Sequence, residues 1–324
     1  METTRALGRR ILVPWDGSAL AAQAIPKARA LAAPGGEMIL LWVAPEVEAV
    51  DGLMLGMAGV AADDILRADE EAARQSLEAE AERLRGAGGD LKVETVVEIG
   101  DPAERILRLA KGRDVDLIVL ASHGRGAVGR WAFGSVADRV ARSATVPVMI
   151  VRPEGDEGAG RPHVDMRRVV VPLDGSELAA RAVPVAARLA KQLNVPIVLV
   201  NVVDTARAVS PLFAAGEAYS EGYFGEIQTE LRQEADRVLE EASASLKDTG
   251  LSVTSQVLDG APADALLGLT QPSDVVVLTS HGRSGVRRWL LGSVSEKLVR
   301  QSVAPVVLVR SAVEAERSKD GARG

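Results

Sequence analysis

Short runs rich in apolar and β-branched residues recur along the first half of the chain, at Arg10–Trp15, Met38–Val43, Leu91–Val97, Val115–Ala121 and Pro147–Val151. Most lack a polar alternation, which is the pattern of strands buried on both faces. Between them lie stretches of helical character. Ser18–Ala33 reads as one helix, with Asp16 and Ser18 as candidate caps and Pro34-Gly35-Gly36 as its stop. Asp63–Arg85 is rich in Ala, Glu and Arg, with Glu70/Arg74 and Glu78/Glu82 at helical spacing, and predicts a long helix with one solvated face. Helices are also predicted over Pro102–Gly112 and Ser135–Ser143, whereas Ala44–Ala62 has no clear period and reads as a loop. Strands alternating with helices imply an α/β fold, a parallel sheet with helices on both faces and right-handed crossovers. Ligands of such sheets sit in a crevice at the carboxyl ends of the strands.

The pattern then repeats. Ile-Leu-Val-Pro-Trp-Asp-Gly-Ser at 11–18 returns as Val-Val-Val-Pro-Leu-Asp-Gly-Ser at 169–176. Ser-His-Gly-Arg at 122–125 returns at 280–283, and Arg-Trp-x-x-Gly-Ser-Val at 130–136 returns at 288–294. These pairs are 158 residues apart; Gly100-Asp-Pro-Ala and Gly260-Ala-Pro-Ala, in between, are 160 apart, so the second copy loses two residues in a loop. The chain is a tandem duplication. The expected boundaries are a first domain at 1–152, a linker rich in Gly, Pro and charge at 153–166, a second domain at 167–311 and a flexible tail at 312–324. Asp204–Gly225, a loop of the second copy, carries both tyrosines and two of the three phenylalanines.

Composition narrows the function. The 324 residues are 47% hydrophobic and 26% charged, with net charge −7, so no general basic field holds nucleic acid or an anionic membrane. There is no cysteine, which removes disulfides, thiol catalysis and Cys-based zinc sites, and only three histidines. No apolar run approaches the ~20 residues of a membrane span, and a strand pattern begins within about ten residues of the start, where a signal peptide would lie. The expectation is a soluble cytoplasmic protein.

Candidate chemistry lies at the strand ends. Gly124-Arg-Gly126-Ala-Val-Gly129 formally matches the dinucleotide fingerprint, but it follows the fourth strand and its counterparts are Gly282, Ser284 and Arg287. The spacing that both copies share is Gly124 to Gly134-Ser135 and Gly282 to Gly292-Ser293, with nine residues between the glycines. A glycine at a strand exit admits phosphate oxygens close to backbone N–H groups. Gly-Ser at a helix start offers unpaired donors and the positive end of the helix dipole. A plain helix cap explains the same pair of residues. Asp16 and Asp174, ending the first strand of each copy, can accept a hydrogen bond from a ribose or a base edge. Ser122-His123 and Ser280-His281 lack an orienting third group for nucleophilic catalysis. Arg125, Arg130, Arg283, Arg287 and Arg288 reach phosphates or form a solvated rim, and Trp131 and Trp289 read as packing anchors.

Both halves resemble universal stress protein domains, over about 290 of the 324 residues. The marks are Val-Pro-x-Asp-Gly-Ser, Gly-x-Pro-Ala, Ser-His-Gly-Arg followed by Gly-Ser-Val, and x-Pro-Val-x-x-Val-Arg. The resemblance implies a five-stranded parallel sheet of order 3-2-1-4-5 in each domain, a doubly wound Rossmann-like fold. It also implies ATP binding through G-x-x-G-x(9)-G-S/T. Carried over, Gly124, Gly134 and Ser135 match in the first copy and Gly282, Gly292 and Ser293 in the second. Flanking contacts are then Pro14, Trp15, Asp16, Val43, Leu120, Val136 and Ala137, with counterparts Pro172, Leu173, Asp174, Val202, Leu278, Val294 and Ser295. The first glycine of the pattern is Ala121 in one copy and Thr279 in the other. A β-branched Thr279 near the nucleotide predicts weaker ATP binding at the second site. Mg²⁺ is expected to arrive with the nucleotide's phosphates.

The resulting expectation is an adenine-nucleotide-binding regulatory module of the stress response, not an enzyme, with at most slow ATP hydrolysis. The rival is a nucleotide-independent interaction module on the same fold, using the segments at 44–62 and 204–225 as contact surfaces. An ATP-using hydrolase on this fold needs a substrate domain for which two equivalent units leave no room. The short apolar last strands predict intramolecular pairing of the two domains, with homodimerisation of the whole chain left open.

Overall fold

The computed structural model describes residues 7–44, 62–122, 133–153, 165–214, 221–280 and 291–310. Two compact units divide between Val164 and Asp165, within the expected linker. In the first unit the elements are β1 (Arg10–Pro14), α1 (Ala19–Ala22), α2 (Ala24–Ala30), β2 (Glu37–Ala44), α3 (Ala62–Gly86), β3 (Lys92–Ile99), α4 (Pro102–Gly112), β4 (Leu117–Ala121), α5 (Ser135–Ser143) and β5 (Val148–Val151). The second unit repeats them as β6 (Arg168–Pro172), α6 (Glu177–Ala180), α7 (Ala182–Leu193), β7 (Ile197–Val203), α8 (Thr205–Ala214), α9 (Glu221–Ala244), β8 (Val253–Asp259), α10 (Pro262–Leu269), β9 (Asp274–Thr279), α11 (Ser293–Gln301) and β10 (Val306–Val309).

Strand order is β3-β2-β1-β4-β5 in the first unit and β8-β7-β6-β9-β10 in the second, with parallel pairing at each junction inside a unit. Both units therefore have the 3-2-1-4-5 order expected from the sequence. Central strands are fully buried: Ile11, Leu12, Val13, Met38–Leu41 and Leu117–Val119 have no exposed surface. At roughly 1.5–3 kcal/mol for each fully buried large apolar side chain, these runs dominate the drive to fold.

Three expectations need correction. Ser18–Ala33 is two helices broken at Gln23, and the second copy breaks at Arg181 in the same way. Pro26 and Pro184 sit two residues into the second piece and lack the N–H that would continue the helical ladder back to Ala22 and Ala180. Asp204–Gly225 is helical over most of the part that is described: Asp204 Oδ1 accepts from Arg207 N at 3.0 Å and starts α8, and α9 begins at Glu221. The strand predicted over Val115–Ala121 begins at Leu117, because Val115 N still donates to Ala110 O at 3.0 Å after Asp114 takes a left-handed φ of 49°. The loop expected at 44–62 lies, from 45 to 61, outside the described residues.

Helices divide between the two faces of each sheet. Arg29 of α2 donates to Ala87 and Gly88 at the end of α3, both at 2.8 Å, so α2 and α3 lie side by side. Arg139 of α5 donates to Asp101 at the start of α4 at 2.7 Å, pairing these two helices on the other face. Along β3, Thr95 meets Glu78 of α3, while Glu94 meets Arg113 at the end of α4, as the alternation of a strand requires.

Candidate functional site

The strand ends of each unit are built by a small set of hydrogen bonds made twice. After β1, Asp16 Oδ1 accepts from Ser18 N at 3.0 Å and from Ser18 Oγ at 2.7 Å, and Ser18 Oγ then caps α1 by accepting from Ala21 N at 3.1 Å. Asp174, Ser176 and Ala179 repeat this at 3.0, 2.6 and 3.1 Å. Gly17 and Gly175, between acid and serine, have φ of 79° and 81°, which a residue with a Cβ rarely adopts. The two aspartates thus orient the turn that starts the first helix.

The other wall is the start of the last helix. Gly134 N donates to Ser122 O at 2.9 Å, and Gly292 N to Ser280 O at 2.8 Å, which ties each helix start to the end of the fourth strand of its unit. Gly134 and Gly292 are the N-caps of α5 and α11, so the N-cap residue itself has no side chain to offer the first turn. Their φ values of −61° and −60° lie where any residue fits, so conformation does not call for glycine here. A serine or aspartate at these positions would occupy the first-turn N–H groups, as Ser18, Ser176 and Asp101 do elsewhere. Glycine places no side chain of its own on the N–H groups of Ser135, Val136 and Ala137, or of Ser293, Val294 and Ser295, which the start of a helix leaves without partners inside the helix. Ser295 Oγ instead turns inward and donates to Thr279 O at 2.9 Å. Gly124, Gly282, His123, His281 and the arginines and tryptophans of those loops lie outside the described residues.

Register sorts the remaining residues by face. Pro14 pairs with Leu41, and Val43 with Glu98, so Pro14, Asp16, Val43 and Glu98 lie on the face that carries α4 and α5. Leu120, one strand over, shares that face. Trp15 does not: its ring meets Trp42 edge-to-face, with centroids 6.0 Å apart, and its Nε1 donates to Ser18 O at 3.1 Å. Only the backbone of Trp15 can belong to the crevice. In the second unit Pro172, Asp174, Val202 and Leu278 occupy the crevice face. Leu173 is buried, and its carbonyl accepts from Asn201 Nδ2 at 2.8 Å.

Ala121 and Thr279 fall one residue beyond Leu120 and Leu278 and so turn to the opposite face; Thr279 is only 5% exposed, in the strand on which α7 packs. The steric ground for weaker binding at the second site is therefore removed: the Thr279 methyl and hydroxyl do not project toward α11. The two sites differ elsewhere. On the crevice side Glu98 and Asp101 of the first unit are replaced by Leu258 and Ala261, and on the far face Trp42 is replaced by Asn201. None of these stood out in the sequence, because register, not motif, brings them to the strand ends.

Asp101 caps α4 through Glu104 N at 2.9 Å, and this bond with the Arg139 guanidinium holds its carboxyl below the usual carboxylate range. In the second unit the helix-to-helix bridge is made by Lys297 to Asp264 at 2.5 Å instead. Among the described residues no group of three or more His, Asp or Glu is placed to hold a metal ion, and no helix is long and apolar enough to cross a membrane.

This repeated fold and its strand-end turns place the chain in a family. The model of the universal stress protein family matches residues 8–152 and again 166–310, and the chain belongs to that family, with two tandem domains. It is 28% identical over 227 residues to a universal stress protein of Mycobacterium bovis, covering 69% of this chain and 71% of that one. It is 27% identical over 146 residues to one from Methanocaldococcus jannaschii, covering 44% of this chain and 82% of the relative. Among solved structures, a universal stress protein from Archaeoglobus fulgidus superposes with a TM-score of 0.62 at 20% identity, covering 93% of this chain and 96% of that one.

Proposed function

We propose that this protein is an adenine-nucleotide-binding regulatory module of the stress response, acting in the cytoplasm, with ATP as its ligand and at most slow hydrolysis. The observation that carries the reading is the glycine-capped start of α5 and of α11, each tied to the end of the fourth strand, beside which the first strand ends in its Asp-Gly-Ser turn. Backbone donors at a helix N-terminus suit the phosphates of a nucleotide. In the first unit the N–H groups of Ser135, Val136 and Ala137 would receive them, with Asp16 and Val43 beside the sugar and base. Gly292, Ser293, Asp174 and Val202 would do the same in the second. Mg²⁺ bound to the phosphates would neutralise their charge, and the nucleotide would bring it.

Regulation fits better than catalysis, because phosphoryl transfer needs a positioned base or water-orienting group together with metal-holding carboxylates. The strand-end aspartates are instead engaged with their own serines. The test is direct. Protein purified without added nucleotide is denatured and the supernatant read by mass spectrometry, and stripped protein is titrated with ATP by calorimetry. Retained adenine nucleotide, or saturable ATP binding, supports the reading. Neither at millimolar ATP refutes it and leaves the interaction module.

A further inference from the structure

The outer strand of the second unit is open where that of the first is closed. In β3, Lys92 N donates to Gly36 O and Gly100 N to Ala44 O, so the even-numbered residues turn their backbone groups toward β2, and Val93, Thr95 and Val97 turn theirs outward. Arg85, in the last turn of α3, covers that edge: its Nη2 donates to Val93 O at 2.8 Å and its Nη1 to Glu78 at 2.6 Å. β8 has the same register, with Ile197 N donating to Ser252 O and Gly260 N to Val203 O, which leaves the backbone of Val253, Ser255 and Val257 on the outer edge. Among the described residues nothing takes the place of Arg85. Arg85 lies eight residues before Val93, and the residue eight before Val253 is Ser245; α9 has no basic residue in its last turn. Thr254, Ser255 and Gln256 are exposed, whereas Glu94, Thr95 and Val96 are half-buried. From Val253 to Leu258 the second edge is also uncharged, where the first carries Lys92, Glu94 and Glu98, the kind of side chain that guards an edge.

Between the end of α9 and β8 lies a groove of about 680 Å³, floored by Leu239, Ser255 and Val257. Asp236, Glu240 and Glu241 stand on its wall, exposed and in no ion pair among the described residues, and Lys247 is the basic side chain beside them. Ser255 and Val257 reach it from the face of β8 opposite Leu258, so the groove is separate from the crevice. We propose that this edge takes an extended, basic segment of a partner protein, which adds a strand to β8 and lays arginine or lysine side chains over the groove. Backbone hydrogen bonds to Val253, Ser255 and Val257 would hold the added strand. Every second side chain of it would hang over α9, among Asp236, Glu240 and Glu241. One such cation would take, from outside, the position that Arg85 takes in the first unit. A second copy of this chain fits less well: α9 carries seven acidic and two basic residues, and pairing two β8 edges about a twofold axis sets two such helices side by side. This docking does not depend on nucleotide.

The probe is the capped, fluorescently labelled heptapeptide Thr-Arg-Thr-Val-Thr-Arg-Thr, which as a strand puts both arginines and the valine on one face. Anisotropy with the full chain at low salt should show it binding about tenfold more tightly than Thr-Glu-Thr-Val-Thr-Glu-Thr. It should exceed by about as much the scrambled Arg-Arg-Thr-Val-Thr-Thr-Thr, which keeps the charge and loses the alternation. Ser255→Pro removes an N–H that points away from β7, and Ser245→Arg supplies the guanidinium that closes the first unit. Each should weaken the alternating peptide about tenfold while circular dichroism stays that of wild type. If Ser255→Pro does not fold, Ser245→Arg, at an exposed position just past α9, decides the matter. Equal binding of the alternating and scrambled peptides, an affinity that neither variant moves, or no binding at millimolar peptide overturns the proposal. So does a wild-type dimer in light scattering that Ser255→Pro dissociates, because it assigns the edge to a second copy.

Discussion

Replacing the N-cap glycine of α5 by aspartate should make the first unit more stable and unable to bind nucleotide, two effects of one side chain. At Gly134 the backbone has φ −61° and ψ 143°, so aspartate enters without strain. Its carboxylate can accept from the N–H of Val136 or Ala137, as Asp101 accepts from Glu104 N at 2.9 Å in α4. Relative to glycine this cap contributes a few tenths of a kcal/mol. Favourable placement at the positive end of the helix adds about 0.3–1 kcal/mol, and loss of glycine freedom in the unfolded chain about 0.4–1 kcal/mol. A total near 1 kcal/mol raises the melting temperature of a unit this size by about 2–4 °C.

The same carboxylate occupies the donors proposed for the phosphates and opposes their charge. Two unit charges ~4 Å apart at an effective dielectric of 20 repel by about 4 kcal/mol. If salt and side-chain movement halve that, ATP still weakens about thirtyfold, and the lost donors bring the total to about a hundredfold. Gly134→Asn separates the contributions, since it caps without charge and should weaken ATP by only about tenfold. Differential scanning fluorimetry gives the stability and calorimetry the affinity, with Gly292→Asp as the matching change in the second unit. Wild-type ATP affinity in the Gly134→Asp/Gly292→Asp double variant would refute the placement of the phosphates. A fall in melting temperature would refute the geometry assigned to the cap.

Other expectations concern the frame. Asp274 is 1% exposed and accepts from Arg168 Nε at 2.6 Å, Arg168 Nη2 at 2.9 Å and Gln271 N at 2.8 Å, so Asp274→Ala strands a half-buried guanidinium and should cost about 3–5 kcal/mol in urea unfolding; a loss under 1 kcal/mol contradicts this. Asp101 has a folded-state pKa below its unfolded value, so its stabilisation is present above the ordinary carboxylate range and disappears as pH falls through the lowered value. Wild type and Asp101→Asn should accordingly differ modestly at neutral pH and converge below about pH 4, and a difference independent of pH removes the ion pair from the account. Gly100 and Gly260 have φ of 138° and 114°, so alanine at either should cost about 1–3 kcal/mol. Only Gly100→Ala also displaces Arg105, because nothing lies within 4 Å of a Cβ at Gly260, so that change should cost the more in urea unfolding.

Much of this was legible in the sequence where a local rule acted without competition. The ranges of α4 and α5 follow from Pro102 and Gly134 at their starts, a parallel sheet follows from the strand–helix alternation, and its strand order is what the family resemblance implies. Legibility failed where one residue overrode a pattern. Pro26 breaks a helix that the apolar spacing alone would continue, and Asp204 caps a helix inside a segment read as a loop. It failed again where function depends on face. The motif points to position 279, but one step of strand alternation carries the Thr279 side chain to the far face, whereas Glu98, in no motif, comes to the crevice through its pairing with Val43.

Duplication allows a comparison that one domain could not. At the amino ends of the strands both units keep an aspartate, Asp116 receiving Gly8 N at 2.6 Å and Arg10 N at 3.1 Å, and Asp274 receiving Arg168 and Gln271. Partners have changed there, but each acid still fastens one strand to its neighbours. At the carboxyl ends the Asp-Gly-Ser turn and the glycine-capped helix are repeated to within a few tenths of an ångström in hydrogen-bond length. The parts that would meet phosphate are therefore the parts kept twice. Divergence lies along the second and third strands, where Trp42 and Glu98 of the first unit correspond to Asn201 and Leu258 of the second. Had only one crevice been retained for a nucleotide, the helix start of the other would be free to acquire a capping side chain, which stabilises a helix at no other cost. Both have kept glycine, which gives up that stabilisation twice. The difference between the two domains thus falls on what would lie beyond the phosphates: a carboxylate in one, an apolar wall in the other.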